Sequence, residues 1–231
     1  MMSCKVIRIG VFFDGTGNNL TNDEAGRSSN GVSNIGKLYR LYADNEILRG
    51  KTPTECLIYI KAIYIEGVGT INNEDDYATG GGAGTLGAQR INQAIEKLSE
   101  IRDQFPKSEY KCYIDVFGFS RGAAMARDFI NEMYRKHRRL IFTFKFVGLF
   151  DTVGSFGLPG NNINYKPITN EDTETDTIKY ETSGATFPSR YYEPYNFNLS
   201  PRSAEKIVHF IALDEYRKNF PLSDTQGAGL S

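Results

Sequence analysis

The segment from Tyr110 to Arg139 constrains the fold of this chain more than any other. The apolar run Tyr110 to Phe117 predicts a buried strand, and a helix is predicted from about Arg121 onwards. Between them stands Gly118-Phe119-Ser120-Arg121-Gly122, a G-x-S-x-G sequence in the strand–turn–helix context that presents a nucleophilic serine. Glycines two residues either side of Ser120 remove the side-chain clashes of so sharp a turn. A tight turn with an incidental serine is the alternative interpretation.

Strands and helices are predicted to alternate along most of the 231 residues. The strands are expected at 5–13, 57–65, 110–117, 141–150 and 207–213, and the helices at about 34–42, 86–105 and 121–139. The stretch from 14 to 30 is predicted as a polar loop, and 154–200 as a long loop of the kind that forms a lid or a binding surface, or is disordered. The alternation predicts a single α/β domain over 1–231 of the α/β-hydrolase kind. Its sheet is mostly parallel and doubly wound, with helices on both faces.

A nucleophilic serine needs a base and an acid, which in this fold follow the serine in the order acid, then histidine. Asp151 comes directly after the strand predicted at 141–150, where parallel sheets place functional residues. Of the two histidines, only His209 follows Asp151, whereas His137 ends a basic helix and is predicted to lie on the surface. Asp151 as a turn cap and His209 as a core or strand-edge residue are the structural alternatives.

The negative charge that develops on a carbonyl oxygen during acyl transfer also needs hydrogen-bond donors. The helix after Ser120 predicts one donor at the backbone N–H of Arg121. The loop after the first strand is rich in glycine and asparagine, which suits close backbone approach, and its Gly15 N–H is predicted as the second donor. A plain turn is the alternative interpretation of this loop.

Composition argues against several other classes of protein. Lys and Arg total 27 against 28 for Asp and Glu, a net charge of −1, so a nucleic-acid-binding protein is not expected. Cys4, Cys56 and Cys112 are odd in number and scattered. We therefore expect no disulfide framework, Cys56 and Cys112 packed as small hydrophobes, and folding in a reducing compartment such as the cytoplasm. No apolar run is long enough for a signal peptide or a transmembrane helix.

Three weaker motifs are set aside. Gly82 to Gly87 matches the G-x-G-x-x-G of dinucleotide-binding proteins, but a long acidic loop separates it from the preceding strand. Phe12 stands where an aspartate-nucleophile phosphatase has its nucleophile, two residues before Asp14. The acidic run Glu171 to Asp176 lacks the spacing of a calcium loop. The sequence therefore predicts neither a metal nor an organic cofactor.

Five blocks in matching order resemble an α/β-hydrolase domain family whose best-known members are phospholipase effectors of type VI secretion, the first family of those lipases. The blocks are Phe13–Asn19, Glu66–Thr70, Gly118–Ala123, Leu149–Ser155 and His209–Arg217. The resemblance implies a Ser-Asp-His triad in which Ser120 and Asp151 match the nucleophile and the acid. It also implies an ester substrate, foremost a membrane phospholipid. It further implies export through the type VI apparatus. The partners that it implies are a component of the secretion apparatus and an immunity protein.

One block of that family is missing. A further strand bearing a histidine within Gly-x-His-Ser-Asp-x-Gly-Gly has no counterpart before the chain ends at Ser231. Two interpretations stay open. Either His209 is the base of an active esterase or phospholipase, or the base belongs to a missing carboxyl-terminal segment. In the second case the chain is a truncated or inactive hydrolase fold that serves binding or assembly.

Overall fold

The computed structural model describes residues 4–27, 31–42, 44–49, 56–74, 83–154, 165–167 and 192–212. Six strands form the main sheet: β1 (Lys5–Phe13), β2 (Ile47–Leu48), β3 (Leu57–Ile65), β4 (Tyr110–Phe119), β5 (Thr143–Phe150) and β8 (Lys206–Phe210). Their order is β2-β3-β1-β4-β5-β8, and every neighbouring pair is parallel except β2 with β3. Two short strands, β6 (Tyr165–Pro167) and β7 (Tyr192–Pro194), pair antiparallel in a separate sheet.

Four helices accompany the sheet in the described part of the chain: α1 (Leu20–Glu24), α2 (Asn34–Leu41), α3 (Ala83–Asp103) and α4 (Arg121–Lys136). The ring of Phe13 packs on Phe129 of α4 with centroids 5.4 Å apart, whereas the neighbouring Phe12 ring lies 5.7 Å from Tyr39 of α2. Since successive side chains of a strand point to opposite faces, α2 and α4 cover opposite faces of the sheet. The predicted doubly wound α/β fold is confirmed.

The main hydrophobic core lies between the sheet and the pair α3 and α4. Alternate residues of β1, including Ile9, Val11 and Phe13, are fully buried in it. An apolar stripe of α3 is buried against them and comprises Ile91, Ala94, Ile95 and Leu98. Burial of an apolar stripe is what stabilises such a helix, at about 25 cal/mol per Å² removed from water.

Helix α4 is also anchored through polar side chains to the segment that follows β7. Arg127 is 1% exposed and its Nε donates to the carbonyl of Phe197. The fully buried Asp128 accepts from the N–H of Asn196 at 2.7 Å, and Asn131 donates to the Asn196 carbonyl at 2.7 Å. The helix that begins directly after Ser120 is therefore fixed on its outer side as well as against the sheet.

The cysteine prediction is wrong for Cys4 and Cys56, which form a disulfide with their Cα atoms 4.4 Å apart. The physical reason is the register of the parallel pair β1 and β3. Lys5 pairs with Leu57, so the residue before each strand lies beside its counterpart. The inference of a reducing compartment rested on the expected absence of disulfides, and it loses that basis. The prediction for Cys112 is confirmed, because it is a free and buried thiol.

The remaining differences from the predicted elements are local. The stretch predicted as loop up to Asn30 contains α1, whose first N–H groups donate to the side chain of Asn19. The last predicted strand ends at Phe210, and Leu213 lies outside the described residues, as do Glu171–Asp176 and most of 154–200. Within the described residues, no helix is long and apolar enough to cross a membrane.

Candidate active site

Ser120 occupies the sharp turn between β4 and α4. Its backbone has φ 55° and ψ −122°, a conformation that residues with a side chain rarely adopt. The Ser120 N–H donates to the carbonyl of Phe150 at 2.9 Å, and its carbonyl accepts from the N–H of Ala123 at 3.1 Å. The turn is thus held by the end of β5 and by the first turn of α4. This is the strained strand-to-helix position that exposes a nucleophilic hydroxyl in α/β-hydrolases.

The glycines around Ser120 are needed for close backbone packing. A Cβ atom on Gly122 would lie 2.3 Å from the carbonyl oxygen of Phe13 and 2.4 Å from that of Asp14. A Cβ atom on Gly118 would lie 2.6 Å from the carbonyl oxygen of Gly122. The start of α4 therefore packs directly on the end of β1, which brings the loop after β1 to Ser120.

Asp151 lies at the end of β5, next to the turn that holds Ser120. Its backbone has a positive φ of 46°, and its N–H donates to the Phe210 carbonyl at 2.9 Å. Its carboxylate oxygen Oδ1 accepts from the N–H of Ala212. The carboxylate is thereby fixed by the chain that leaves β8.

His209 lies in β8, where it pairs with Leu149 of β5. Its Nε2 is 3.0 Å from the hydroxyl of Thr152 and 3.4 Å from the Thr152 N–H. Thr152 is fully buried and directly follows Asp151. The structure thus brings His209 to the segment that carries Asp151, and a contact between His209 and Ser120 stays a prediction.

His137 lies at the other end of α4 from Ser120, where its N–H donates to the Met133 carbonyl at 3.1 Å. At a rise of 1.5 Å per residue, the helix places it about 25 Å from Ser120. It is therefore too far away to act as the base for this serine.

The loop after β1 packs against the loop after β3. A Cβ atom on Gly67 would lie 1.7 Å from the carbonyl oxygen of Gly15, so only glycine fits there. The Gly67 N–H donates to the Asn18 carbonyl at 2.9 Å, and the Gly17 N–H donates to the Val68 carbonyl at 3.1 Å. These contacts hold Gly15 between the β3 loop and the turn of Ser120.

The β3 loop is held in turn by α3. Arg90 of α3 forms an ion pair with Glu66 at 2.5 Å and donates to the Thr70 carbonyl at 2.7 Å. The Thr70 hydroxyl donates to the Gly67 carbonyl at 2.9 Å and accepts from the side-chain amide of Asn19 at 3.2 Å. Two of the five resembling blocks thus form one hydrogen-bonded unit.

The two predicted oxyanion donors have different environments. Arg121 is the first residue of α4, so its N–H lies at the positive end of the helix dipole. Its guanidinium donates to the Thr16 hydroxyl at 3.0 Å, and burial lowers the pKa of Arg121. The Gly15 N–H donates to the Asp14 carboxylate at 2.8 Å.

Asp14 is fully buried, and sequence reasoning missed the structural role of its carboxylate. Its Oδ2 accepts from the hydroxyls of Ser33 at 2.6 Å and Tyr64 at 2.7 Å. Burial raises the pKa of Asp14, although the hydrogen bonds from Ser33, Tyr64 and Gly15 act in the opposite direction. Burial and the charge of Asp14 raise the pKa of Tyr64, which keeps its hydroxyl protonated as a donor.

A pocket of about 330 Å³ opens beside the turn of Ser120. The start of α2 and the residues before it form one wall, and the ends of β4 and β5 form the other. Its lining residues are Asn18, Gly31, Val32, Ser33, Asn34, Ile35, Phe119, Phe150 and Asp151. The pocket therefore lies between the predicted acid and the amino-terminal end of α2.

Comparison with protein families identifies the family of this chain. The family described as type VI secretion system phospholipase effector Tle1-like, catalytic domain, matches residues 8–137 and 128–227. The chain belongs to this family. The resemblance seen in the five sequence blocks is confirmed.

Two solved structures are similar to this Tle1-like domain, and the first supports the same fold. A Tle1 effector bound to the VgrG spike of the type VI secretion system is 25% identical, with a TM-score of 0.62 over 99% of this chain and 49% of that chain. An uncharacterised protein from Pseudomonas aeruginosa is 20% identical, with a TM-score of 0.49 over 96% of this chain and 38% of that chain. The Tle1-like domain thus spans about half the length of the first of these proteins. A comparison with curated protein sequences found no match.

The structure brings all five predicted site residues of this Tle1-like domain to one end of the sheet. Gly15, Ser120 and Asp151 lie at the carboxyl ends of β1, β4 and β5, and Arg121 begins α4. His209 is one residue short of the end of β8. Sequence reasoning gave no part in the site to Thr152, which lies within the block Leu149–Ser155, or to Ser33, which lies outside every block. Their partners become visible only once the strands and α2 are placed.

Proposed function

We propose that this Tle1-like domain hydrolyses carboxylic ester bonds of lipids by acyl transfer to Ser120. The strained backbone of Ser120 between β4 and α4 is the observation that carries the proposal. Such a conformation costs about 1–3 kcal/mol and persists where function requires it. Membership of a phospholipase effector family supports the lipid substrate.

The mechanism follows the general chemistry of activated serines. The Ser120 hydroxyl attacks the ester carbonyl carbon while a base takes its proton, and the N–H groups of Arg121 and Gly15 bind the oxyanion. Collapse of the tetrahedral intermediate breaks the carbon–oxygen bond, and the protonated base gives its proton to the leaving alcohol. Water, activated by the same base, then releases the fatty acid. Gly15 N–H serves as a donor by sharing its hydrogen between Asp14 and the oxyanion.

His209 is the proposed base, and Asp151 is the proposed acid that orients it. Asp151 directly precedes Thr152, whose hydroxyl lies 3.0 Å from His209 Nε2, and this proximity supports the pairing of Asp151 with His209. For the triad to act, the ring must exchange its contact with Thr152 for one with Ser120. A base supplied from outside the described residues is the competing assignment.

A second candidate function is a hydrolase-fold module that binds the secretion spike without turnover. The contact of His209 with Thr152 favours it, because the ring must give up this contact at Nε2 before that nitrogen can bind the nucleophile. The similar Tle1 effector is bound to a VgrG spike. We propose a spike protein of that kind as the export partner, and an immunity protein as the partner that protects the producing cell.

The decisive experiment is hydrolysis of nitrophenyl butyrate and of phospholipid vesicles by the purified protein. We expect Ser120→Ala to lower kcat about a thousandfold or more, since the nucleophile is lost. Ser108→Ala is the matched control, because Ser108 is exposed and precedes β4 at the far end of the sheet.

Parallel variants assign the base. His209→Ala is expected to lower kcat as severely as Ser120→Ala, whereas His137→Ala, the matched control at the far end of α4, should leave kcat unchanged. Full activity of His209→Ala would retire His209 and favour a base elsewhere. A folded wild-type protein without any ester turnover would overturn the enzymatic proposal in favour of the binding module.

A further inference from the structure

The Asp14 carboxylate connects the loop of Gly15 to the wall of the pocket. One of its oxygens, Oδ1, accepts from the Gly15 N–H at 2.8 Å. The other, Oδ2, accepts from the Ser33 hydroxyl at 2.6 Å, and Ser33 lines the pocket. A single buried side chain therefore contacts a predicted oxyanion donor on one side and a pocket residue on the other.

Ser33 passes this constraint on to α2. It is the N-cap of that helix, and its hydroxyl oxygen accepts from the Gly36 N–H at 2.9 Å while its hydrogen goes to Asp14. The same hydroxyl thus caps the amino-terminal end of the helix and attaches it to Asp14, the residue that follows β1. Since the pocket wall includes Asn34 and Ile35, the first residues of α2, the position of this wall depends on the bond to Asp14.

The opposite end of α2 has an equivalent attachment outside the pocket. Tyr42, the C-cap of α2, donates from its hydroxyl to Asp115 of β4 at 2.9 Å. Asp115 also binds the Arg8 guanidinium of β1 at 2.6 Å. Each end of α2 is thus attached by one hydroxyl to one buried carboxylate, and only the Asp14 end lies at the pocket.

We propose that Asp14 is a positioning residue that sets the wall of an acyl-chain pocket through Ser33 and orients the backbone amide of Gly15. The apolar lining residues Val32, Phe119 and Phe150 are partly exposed and suit the acyl chain of the ester. The inference rests on the proposed hydrolysis at Ser120 and adds the part that selects the chain. Asp14 touches neither substrate nor reacting atoms in this role.

The two contacts of Asp14 predict different kinetic effects. Ser33→Ala removes the attachment of the wall together with the N-cap of α2, but it leaves the contact of Asp14 with Gly15 in place. KM for nitrophenyl octanoate should therefore rise about tenfold while kcat is kept and KM for the acetate ester changes little. Asp14→Asn should also lower kcat, because one amide oxygen cannot accept from Gly15, Ser33 and Tyr64 together. Ser33→Thr keeps the hydroxyl and should restore the wild-type KM.

Tyr42→Phe is the matched control. It removes one hydroxyl from the same helix at the end away from the pocket, so it should lower Tm without changing KM for either ester. Equal KM values for the octanoate ester in the wild type and Ser33→Ala would overturn the proposal. A rise in KM with Tyr42→Phe as large as with Ser33→Ala would also overturn it, since general loosening of α2 would explain both.

A binding measurement separates this proposal from the enzymatic one. The affinity for a fluorescent fatty acid, cis-parinaric acid, is measured in Ser120→Ala with and without Ser33→Ala. If the wild type does not turn over esters, the proposed hydrolysis is wrong. About tenfold weaker binding of the fatty acid after Ser33→Ala would still support the proposal that Ser33 positions the pocket wall. Absent binding, or binding unchanged by Ser33→Ala, overturns the pocket wall even if the wild type is an active esterase.

Discussion

At the scale of single residues, the backbone conformation that positions the Ser120 hydroxyl lowers the stability of the fold. Its φ of 55° and ψ of −122° are readily adopted by glycine but strained for serine and alanine. We therefore expect Ser120→Gly to raise the free energy of unfolding by about 1 kcal/mol relative to Ser120→Ala, with activity lost in both. Urea unfolding of the two variants measures the difference. A Ser120→Gly protein less stable than Ser120→Ala would show that the turn is not strained.

Asp14 makes the stability depend on pH in a definite direction. Burial raises its pKa in the folded protein, and the nearby Asp23 carboxylate adds a repulsion in the same direction, whereas the unfolded chain titrates near pH 4. Between these two pKa values the folded state holds the proton and the unfolded state does not. Asp14 therefore contributes stability below the unfolded pKa that is lost as the pH rises through the folded pKa.

The comparison that isolates this effect is wild type against Asp14→Asn, whose amide does not titrate. The stability advantage of the wild type should be largest in acid and should shrink as the pH rises, with a slope of at most about 1.4 kcal/mol per pH unit. Urea unfolding at several pH values gives both curves. A difference that grows with pH would mean that the hydrogen bonds from Ser33 and Tyr64 outweigh burial.

At the scale of elements, hydrophobic periodicity predicted the strands and helices that bury a regular apolar face. It did not predict elements that lack such a pattern. The bounds of β1 and β3 and the apolar stripe of α3 follow from patterns that burial on a sheet requires. Four of the five residues of α1 are polar, and the Asn19 side chain caps the helix. Such a helix has no hydrophobic periodicity from which it could be predicted.

Buried charges of the helices escaped prediction for a related reason. Arg102 of α3 and Arg127 of α4 are almost fully buried, although arginine usually lies at the surface. Arg102 donates to the Leu140 carbonyl and Arg127 to that of Phe197. Those carbonyls belong to segments distant in sequence, so the partners that make burial tolerable are invisible in a single sequence.

The same distinction between local patterns and tertiary contacts applies to the residues of the candidate site. The positions of Ser120 and Asp151 after strands and of Arg121 at the start of α4 could be predicted because a local motif marks each place, whereas their chemical roles stay predictions. The part of Ser33 and the contact of His209 with Thr152 could not be, since both depend on how separate elements come together. The order of residues alone limited the base to His209 or to a missing histidine, and it could not decide between them.

At the scale of the whole molecule, the disulfide and the candidate active site lie at opposite ends of the sheet. Cys4 and Cys56 precede β1 and β3, whereas Ser120 follows β4, and the nine residues of β1 span about 30 Å. The disulfide closes a sequence separation of 52 residues, which corresponds to about 4 kcal/mol of stabilisation in the chain-entropy account. Its reduction should therefore lower stability while leaving the geometry around Ser120 intact.

We accordingly expect dithiothreitol to shift urea unfolding of the wild type to lower concentration, with kcat unchanged in the absence of denaturant. The double variant Cys4→Ser and Cys56→Ser should unfold at that lower concentration with or without the reductant.

Burial raises the pKa of the Cys112 thiol to about 11. Without reductant, a thiol reagent should therefore label no cysteine of the native protein until the protein unfolds. One reactive thiol in urea and three after reduction would match the three cysteines, whereas three without reduction would show that the disulfide is absent. Since the bond forms only where oxidants prevail, the same protein should be less stable in a reducing compartment than in an oxidising one.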